Sequence, residues 1–207
     1  NNRDRYTLRG QLQWDINEDA SLRLIADYTE TDEVCCNATP LFYGPTAGAV
    51  AALSGDLQPN GSPTTYQGIT GSYADPFDYK ASVNPDTAEE SVKDWGVSAE
   101  LNWGVGETEI TAIASYRVHD NYNYIDADFT NLQIVDRENV QDIDETSLEL
   151  RWASTGSQTI DWTVGFFYYE QNIDYSTGLF FGDDSRAYAD AITAGAFSGA
   201  NTAINGA

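Results

Sequence analysis

The chain is poor in the side chains that do covalent or metal chemistry. In 207 residues it has two Cys, one His and no Met. The two Cys, Cys35 and Cys36, are adjacent. Adjacent Cys are poor disulfide partners because the ring they would close is strained, and they match no spaced zinc pattern. His119 stands alone, without the partners that acid–base catalysis requires. There is no nucleophile elbow, phosphate loop or zinc motif. The pairs Asp126/Asp128 and Asp142/Asp144 lack the Gly and terminal Glu of a Ca²⁺ loop, so solvated loop acid is their default reading. No catalytic, cofactor-binding or metal-ligating residue is assigned, and the chain reads as a non-enzyme.

Bases are scarce too. Ten Lys and Arg against 33 Asp and Glu give a formal charge of −23, which argues against a nucleic-acid partner. The acid is unevenly placed: the stretches 32–91, 120–145 and 170–190 carry −18 of the −23. No run of eighteen apolar residues exists, so no transmembrane helix is written here. The chain opens at Asn1 rather than at a Met, and it is expected to be an internal piece of a longer protein.

What the sequence does have is alternation. Six segments place apolar and polar residues at period two, the pattern of a strand with two unlike faces. They are 5–14, 20–29, 95–103, 108–118, 146–152 and 159–172. The last, TIDWTVGFFYYEQN, sets Ile160, Trp162, Val164, Phe166 and Tyr168 on one side. The connections alternate in length. Residues 15–19, 104–107 and 154–157 are short and rich in Gly, Asp, Asn and Ser. Between them lie about sixty residues (30–91) and about twenty-five (119–143), with a long tail after Asn172. The pattern predicts three antiparallel hairpins joined into a six-stranded meander, with short helices over AGAVAALSG (47–55) and SRAYADAITAGAF (185–197). Loop 30–91 is expected to be the least ordered large segment, since Gly, Pro and acid leave little apolar area to offset ordering entropy.

Each segment has one apolar face and one face with charges such as Arg9, Arg23, Asp27, Glu100, Arg117, Glu149 and Arg151. A soluble sandwich alternates in the same way. The aromatics separate the two cases. Trp14, Trp103, Trp152 and Trp162 sit beside the short turns. Tyr6, Tyr28, Tyr116 and Tyr168, with Trp95, sit toward the long-loop ends of the same faces. Tyr6 to Trp14 and Trp95 to Trp103 each span eight residues. Eight tilted residues rise about 20 Å, near the apolar height of an outer-membrane barrel. Aromatics at two interfaces with aliphatics between them are what a lipid-facing wall needs. The expected fold class is therefore all-β, a segment of an antiparallel transmembrane β-barrel with long extracellular loops. The expected location is the outer membrane of a Gram-negative bacterium, with membrane lipid as the partner of the apolar face. Short turns on one side and long loops on the other fit that class. Six strands are too few to close, about eight being the minimum, so residues 1–207 are expected to be a partial barrel.

Three stretches, RYTLRGQLQWDINEDASLRLIADYTETDEVCC, VSAELNWGVGETEITAIASYR and ETSLELRWASTGSQTIDWTVGFFYYEQN, resemble the barrel strands of TonB-dependent outer-membrane receptors. The resemblance covers the strands and not the loops. It implies a barrel of about 22 strands with a plugged lumen. It further implies energy-dependent uptake of a small molecule of the siderophore, cobalamin or carbohydrate type. The plug domain, the TonB-contact segment and the terminal aromatic strand of that family have no counterpart here, so contact with the TonB complex would fall to other parts of the parent protein. For ligand contact, the loop YADPFDYK is the best candidate: Tyr73, Asp75, Phe77, Asp78 and Tyr79 offer rigid apolar area beside acceptors. The alternative is a soluble or surface-exposed β-sandwich, such as a carbohydrate-binding module.

Overall fold

A computed structural model describes residues 3–34, 45–54, 89–130, 132–157 and 159–196. The elements run β1 (Asp4–Asn17), β2 (Ala20–Glu33), α1 (Ala47–Leu53), β3 (Glu89–Val105), β4 (Thr108–Asp126), β5 (Val135–Ser154), β6 (Thr163–Phe181) and α2 (Ser185–Ile192). The fold is all-β. One antiparallel sheet has the order β1-β2-β3-β4-β5-β6, so every strand lies beside its neighbours in sequence, as the hairpin rhythm predicts. Among the described residues the sheet is not closed, and β1 and β6 are its edges.

The turns account for this order. At β3–β4, Val105 opposes Thr108 across the two residues Gly106 and Glu107. Gly106 has φ 63°, while Glu107 is not in the left-handed region. Positive φ at the first central position alone is the II′ pattern, whose twist suits the flanking strands. At β1–β2, Glu18 and Asp19 form the turn, and the Asn17 Oδ1 accepts the Asp19 amide at 2.9 Å. A bulge between Asp15 and Asn17 lets β1 run to the turn, so residues 15–17 are strand rather than loop.

Several boundaries differ from the expectation. The connection of about twenty-five residues, 119–143, is mostly strand: β4 runs to Asp126 and β5 starts at Val135, leaving 127–134. Likewise β2 ends at Glu33, β3 starts at Glu89, and β6 continues to Phe181. In the extensions of β2 to β5 both faces carry polar residues, and in β6 the alternation inverts, Ile173, Tyr175 and Leu179 standing opposite the face of Tyr168, so one continuous apolar face is missing although the hydrogen-bonded ladder continues. At the other end β6 begins at Thr163, which places Ile160 and Trp162 in the 155–162 connection. That connection is held by Ser154, whose amide donates to the Trp162 carbonyl at 2.9 Å while its Oγ accepts the Trp162 amide at 2.9 Å.

No helix among the described residues is long and apolar enough to cross a membrane. Both expected helices form. In α1, Val50 is buried against Leu132 and Ile134, with Val135 and Tyr188 of α2 packed on the same cluster. This is the buried hydrophobic cluster of the described residues, and it lies at the long-loop end. Val50 and Ala51 of the 30–91 segment are thus buried, while 35–44 and 55–88 fall outside the described residues. The cluster is tied to the sheet through Gly182, whose amide donates to the Ile134 carbonyl at 3.1 Å. A Cβ at Gly182 would collide with the carbonyl of Gln133. Gly182→Ala is therefore expected to cost about 1–3 kcal/mol and to speed hydrogen exchange in 127–134. Gly10→Ala, where a Cβ meets nothing within 4 Å, should leave that exchange unchanged.

Candidate functional site

The register assigns every strand side chain to one of two faces, because successive residues point to opposite sides. Directly opposed residues form rungs across the sheet. The central rung of the apolar face is Leu12, Leu24, Ala99, Ala114, Leu148 and Tyr168. One rung toward the short turns come Trp14, Leu22, Leu101, Ala112, Leu150 and Phe166, and then Ala20, Trp103, Ile110, Trp152 and Val164. On the loop side come Gly10, Ala26, Val97, Tyr116 and Thr146, ending at Glu170, and then Leu8, Tyr28, Trp95 and Val118, ending at Asp144 and Asn172.

This face is not covered by any described element. Leu24 is 40% exposed, Val97 47%, Leu150 48% and Val164 63%, while Leu101 and Ile110 are half-buried. The small residues Gly10, Ala26, Ala99 and Ala114 leave a shallow apolar trough of about 750 Å³ between Leu12, Leu24, Val97 and Leu148.

The four Trp near the short turns do not share one rung. Trp103 and Trp152 share a rung, Trp14 lies one rung inward, and Trp162 lies one rung further out, beside Ser154. Its ring packs edge-on against Trp152 at 5.4 Å between centroids. The loop-side aromatics drift in the same direction. Of the five girdle aromatics Tyr6 is outermost, Tyr28 and Trp95 are one rung in, Tyr116 a second and Tyr168 a third, while Tyr122 and Tyr124 of β4 stand on the same face farther out, past Asp120. The first charge on this face past the loop-side aromatics drifts with them: Asp4 in β1, then Glu30, Lys93 and Asp120 one rung in, Asp144 another and Glu170 a third. Three rungs are six residues, about 20 Å along the strands, against about 24 Å for five interstrand steps. The loop-side border is thus inclined by about 40° to the rungs, and the Trp border, drifting two rungs, by about 30°. Rungs run perpendicular to the strands, so the strands are inclined by similar angles to the normal of a band bounded by these lines.

The opposite face is polar and cross-linked. Arg23 Nη2 donates to Glu100 Oε2 at 2.6 Å, and Asn102 Nδ2 donates to Glu100 Oε1 at 2.9 Å. Arg117 of β4 reaches Asp27 of β2 at 2.8 Å and also pairs with Asp94 of β3. It passes over Gly96, where a Cβ would sit 2.9 Å from its Nη2. Arg5 pairs with Glu33, and Arg151 with Glu149 at 2.8 Å. His119 lies within β4, its Nδ1 3.1 Å from Asp94 Oδ2. The cross-strand pairing of charges is as the alternation predicts, whereas the Arg117–Gly96 juxtaposition was missed. Its signal was the Gly inside a strand pattern, a mark of close approach.

The candidate ligand loop, Tyr73, Asp75, Phe77, Asp78 and Tyr79, lies outside the described residues, as do Cys35 and Cys36. Among the described residues no group of three His, Cys, Asp or Glu is arranged to hold a metal ion. Asp128 has a different task. Its Oδ1 accepts the Thr130 amide at 3.0 Å and the Thr130 hydroxyl, and its Oδ2 accepts the amides of Ile134 and Val135 at 3.2 and 2.9 Å. Asp142 and Asp144 are two apart on one strand face, and Asp144 accepts Asn172 Nδ2 at 3.0 Å.

Asp126, eight residues beyond the Val118 rung, is only 2% exposed. Its Oδ1 accepts the amides of Asp128 and Phe129 at 3.0 and 2.9 Å, holding Phe129 at φ 55°. Its Oδ2 is buried with no partner. Burial, and then the charge of Asp128, push its carboxyl up to about 6, and burial also raises Asp136. A raised folded-state value means that the proton is held more tightly folded than unfolded. The resulting stabilisation is complete below the unfolded value near 3.8 and is lost as pH rises through about 6. The amides of Asp128 and Phe129 are therefore expected to be better protected at pH 5 than at pH 7, after correction for intrinsic exchange. Asp126→Asn should abolish the difference. Equal protection at both pH values in the unmodified protein would refute this.

Compared with known protein families and with curated proteins, the chain gives no match.

Proposed function

We propose that this sheet is part of the wall of an outer-membrane β-barrel. By the likeness of its strands to those of TonB-dependent receptors, we assign it to a receptor for energy-dependent uptake of a small molecule. The observation that carries the reading is the pair of oblique aromatic borders. A flat interface cutting tilted strands marks them at staggered residues, and both borders and the first charges stagger in one sense, by two to three rungs across the sheet. The slopes, about 30–40°, agree with the strand tilt of outer-membrane barrels, about 35–45°. Lipid is then the occupant of the apolar face, the polar face looks into the lumen, and the acid-rich strand extensions stand outside the cell. Ion pairs such as Arg23–Glu100 and Arg117–Asp27 suit a wet interior. The two sheet edges require further strands, since open edges do not persist in hydrocarbon. The rival reading, a soluble β-sandwich, needs a second layer on the apolar face and gives no reason for oblique borders.

Neighbouring residues of β1 separate the two readings. Leu12 faces the middle of the apolar band and Gln11 the opposite side. In the full-length protein refolded into bilayers, Leu12→Arg is expected to cost about 2–4 kcal/mol and Gln11→Arg under about 1 kcal/mol, because an Arg at the bilayer midplane on the lipid face carries that penalty. Asp142→Arg, on the apolar side but beyond the border, should also be mild. Equal costs for Leu12→Arg and Gln11→Arg would remove the lipid reading.

A further inference from the structure

Among the described residues the polar face has a hollow at mid-sheet. Ser98, Ser115, Ser147 and Tyr169 form a single rung across β3 to β6, and Gly96, Arg117, Glu145 and Gln171 form the next. Small side chains in the first rung and Gly96 in the second leave a hollow of about 300 Å³, with Tyr169 as one wall and Arg117 and Glu145 at its rim. Neither rim group is loose. Arg117 is fixed by Asp27 and Asp94, and Glu145 Oε1 accepts the Tyr169 hydroxyl at 3.1 Å and also the Gln171 amide group. The Ser115 and Ser147 hydroxyls lie 2.7 Å apart. Each hydroxyl has one donor and two acceptor sites, so this contact leaves both with bonding capacity.

The chemistry of this lining selects among ligands. Arg117 is already matched by two carboxylates, and Glu145 adds another negative charge, so an anion would enter a site of the wrong sign. A cation would meet the guanidinium of Arg117, and both Asp27 oxygens are taken by it at 3.0 and 2.8 Å. What remains is a floor of hydroxyls that both donate and accept, a fixed donor, a fixed acceptor and one exposed aromatic ring. A neutral polyhydroxylated ring matches that set: its hydroxyls pair with Ser, Arg and Glu, while its C–H face lies on the tyrosine.

We infer that this hollow binds one residue of a neutral saccharide. The serine rung lies between the central rung of the apolar band and the Val97 rung. On the uptake reading, on which this inference rests for its place in transport, the hollow is inside the lumen near mid-membrane. It is then a station on the path of the substrate rather than its first contact.

The test uses the purified full-length protein in detergent and equilibrium binding of glucose, maltotriose and xylotriose, with citrate and choline as anionic and cationic probes. At least one saccharide is expected to bind saturably and the two ions not to bind. Tyr169→Ala should weaken that binding about tenfold or more, and Ser147→Val should also weaken it. Tyr169→Phe, which keeps the ring, should bind within about threefold of the unmodified protein. Binding of none of the three saccharides, preference for citrate or choline, or indifference to Tyr169→Ala would each overturn the inference. Membrane insertion, followed separately on the same samples, keeps the two proposals apart. An inserted protein that ignores saccharides defeats only this inference, and a water-soluble protein that binds them defeats only the barrel.

Discussion

An antiparallel ladder couples register to the facing of every side chain, because a slip of one residue turns a whole strand over. In this sheet the ladder is unbroken from β1 to β6 apart from the bulge at Asp15 and Asn17. Everything else depends on it. It gathers Leu12, Leu24, Ala99, Ala114 and Leu148 into one rung, and it sends Arg23 to Glu100 and Arg117 to Asp27 on the other side. The short turns fix the register at one end. The apolar face penalises any slip, since a shift by one residue would carry Arg9, Arg23 and Glu149 to the face now occupied by Leu and Ala.

The same ladder divides the molecule along its length. Near the short turns the faces are unlike, one aliphatic and one charged. Past Tyr28 and Trp95 both faces of β2 to β5 carry polar residues, and Glu30, Asp120, Asp142 and Asp174 stand on what was the apolar side, while in β6 the pattern inverts and Ile173, Tyr175, Leu179 and Phe181 stand on the other face. Asp120, Asp142 and Asp174 are directly opposed, an arrangement of like charge that is destabilising unless water screens it. The extensions of β2 to β5 thus suit water, which the aliphatic band near the short turns does not. Beyond them the chain changes its means of support. The Val50, Leu132 and Ile134 cluster and the carboxyl groups of Asp126 and Asp128 hold the 127–134 connection by burial and by amide capping.

How far this was legible follows from the same contrast. Strand order and facing were readable from residues 5–14, 20–29 and 95–103, because alternation is strongest where one side is aliphatic and the other charged. Strand ends were not. In NYNYID the alternation is only of Asn with Tyr, and in VDRENVQDID both faces carry charge, so no aliphatic face marks the strand while backbone pairing persists. Trp162 was assigned to a strand because Ile160, Trp162 and Val164 alternate, yet the chain there bends through the hydrogen bonds of Ser154. The stagger of the aromatics needed the register, since sequence counts residues along one strand and says nothing of its offset from the next. The serine hollow was hidden for the same reason: Ser98, Ser115 and Ser147 are unremarkable singly and become a floor only when paired.

The central claim is that a single apolar slab bounded by two interfaces crosses these strands obliquely. Its most direct test is depth-resolved fluorescence quenching in bilayers whose acyl chains carry bromine at chosen positions, read on single-Trp variants of the full-length protein. Trp103 and Trp95, eight residues apart at opposite borders, should each be quenched best by bromines near the headgroups. A Trp placed by Leu24→Trp should be quenched best by bromines near the bilayer centre. Quenching of all three that is absent, or that is independent of bromine depth, would contradict the account.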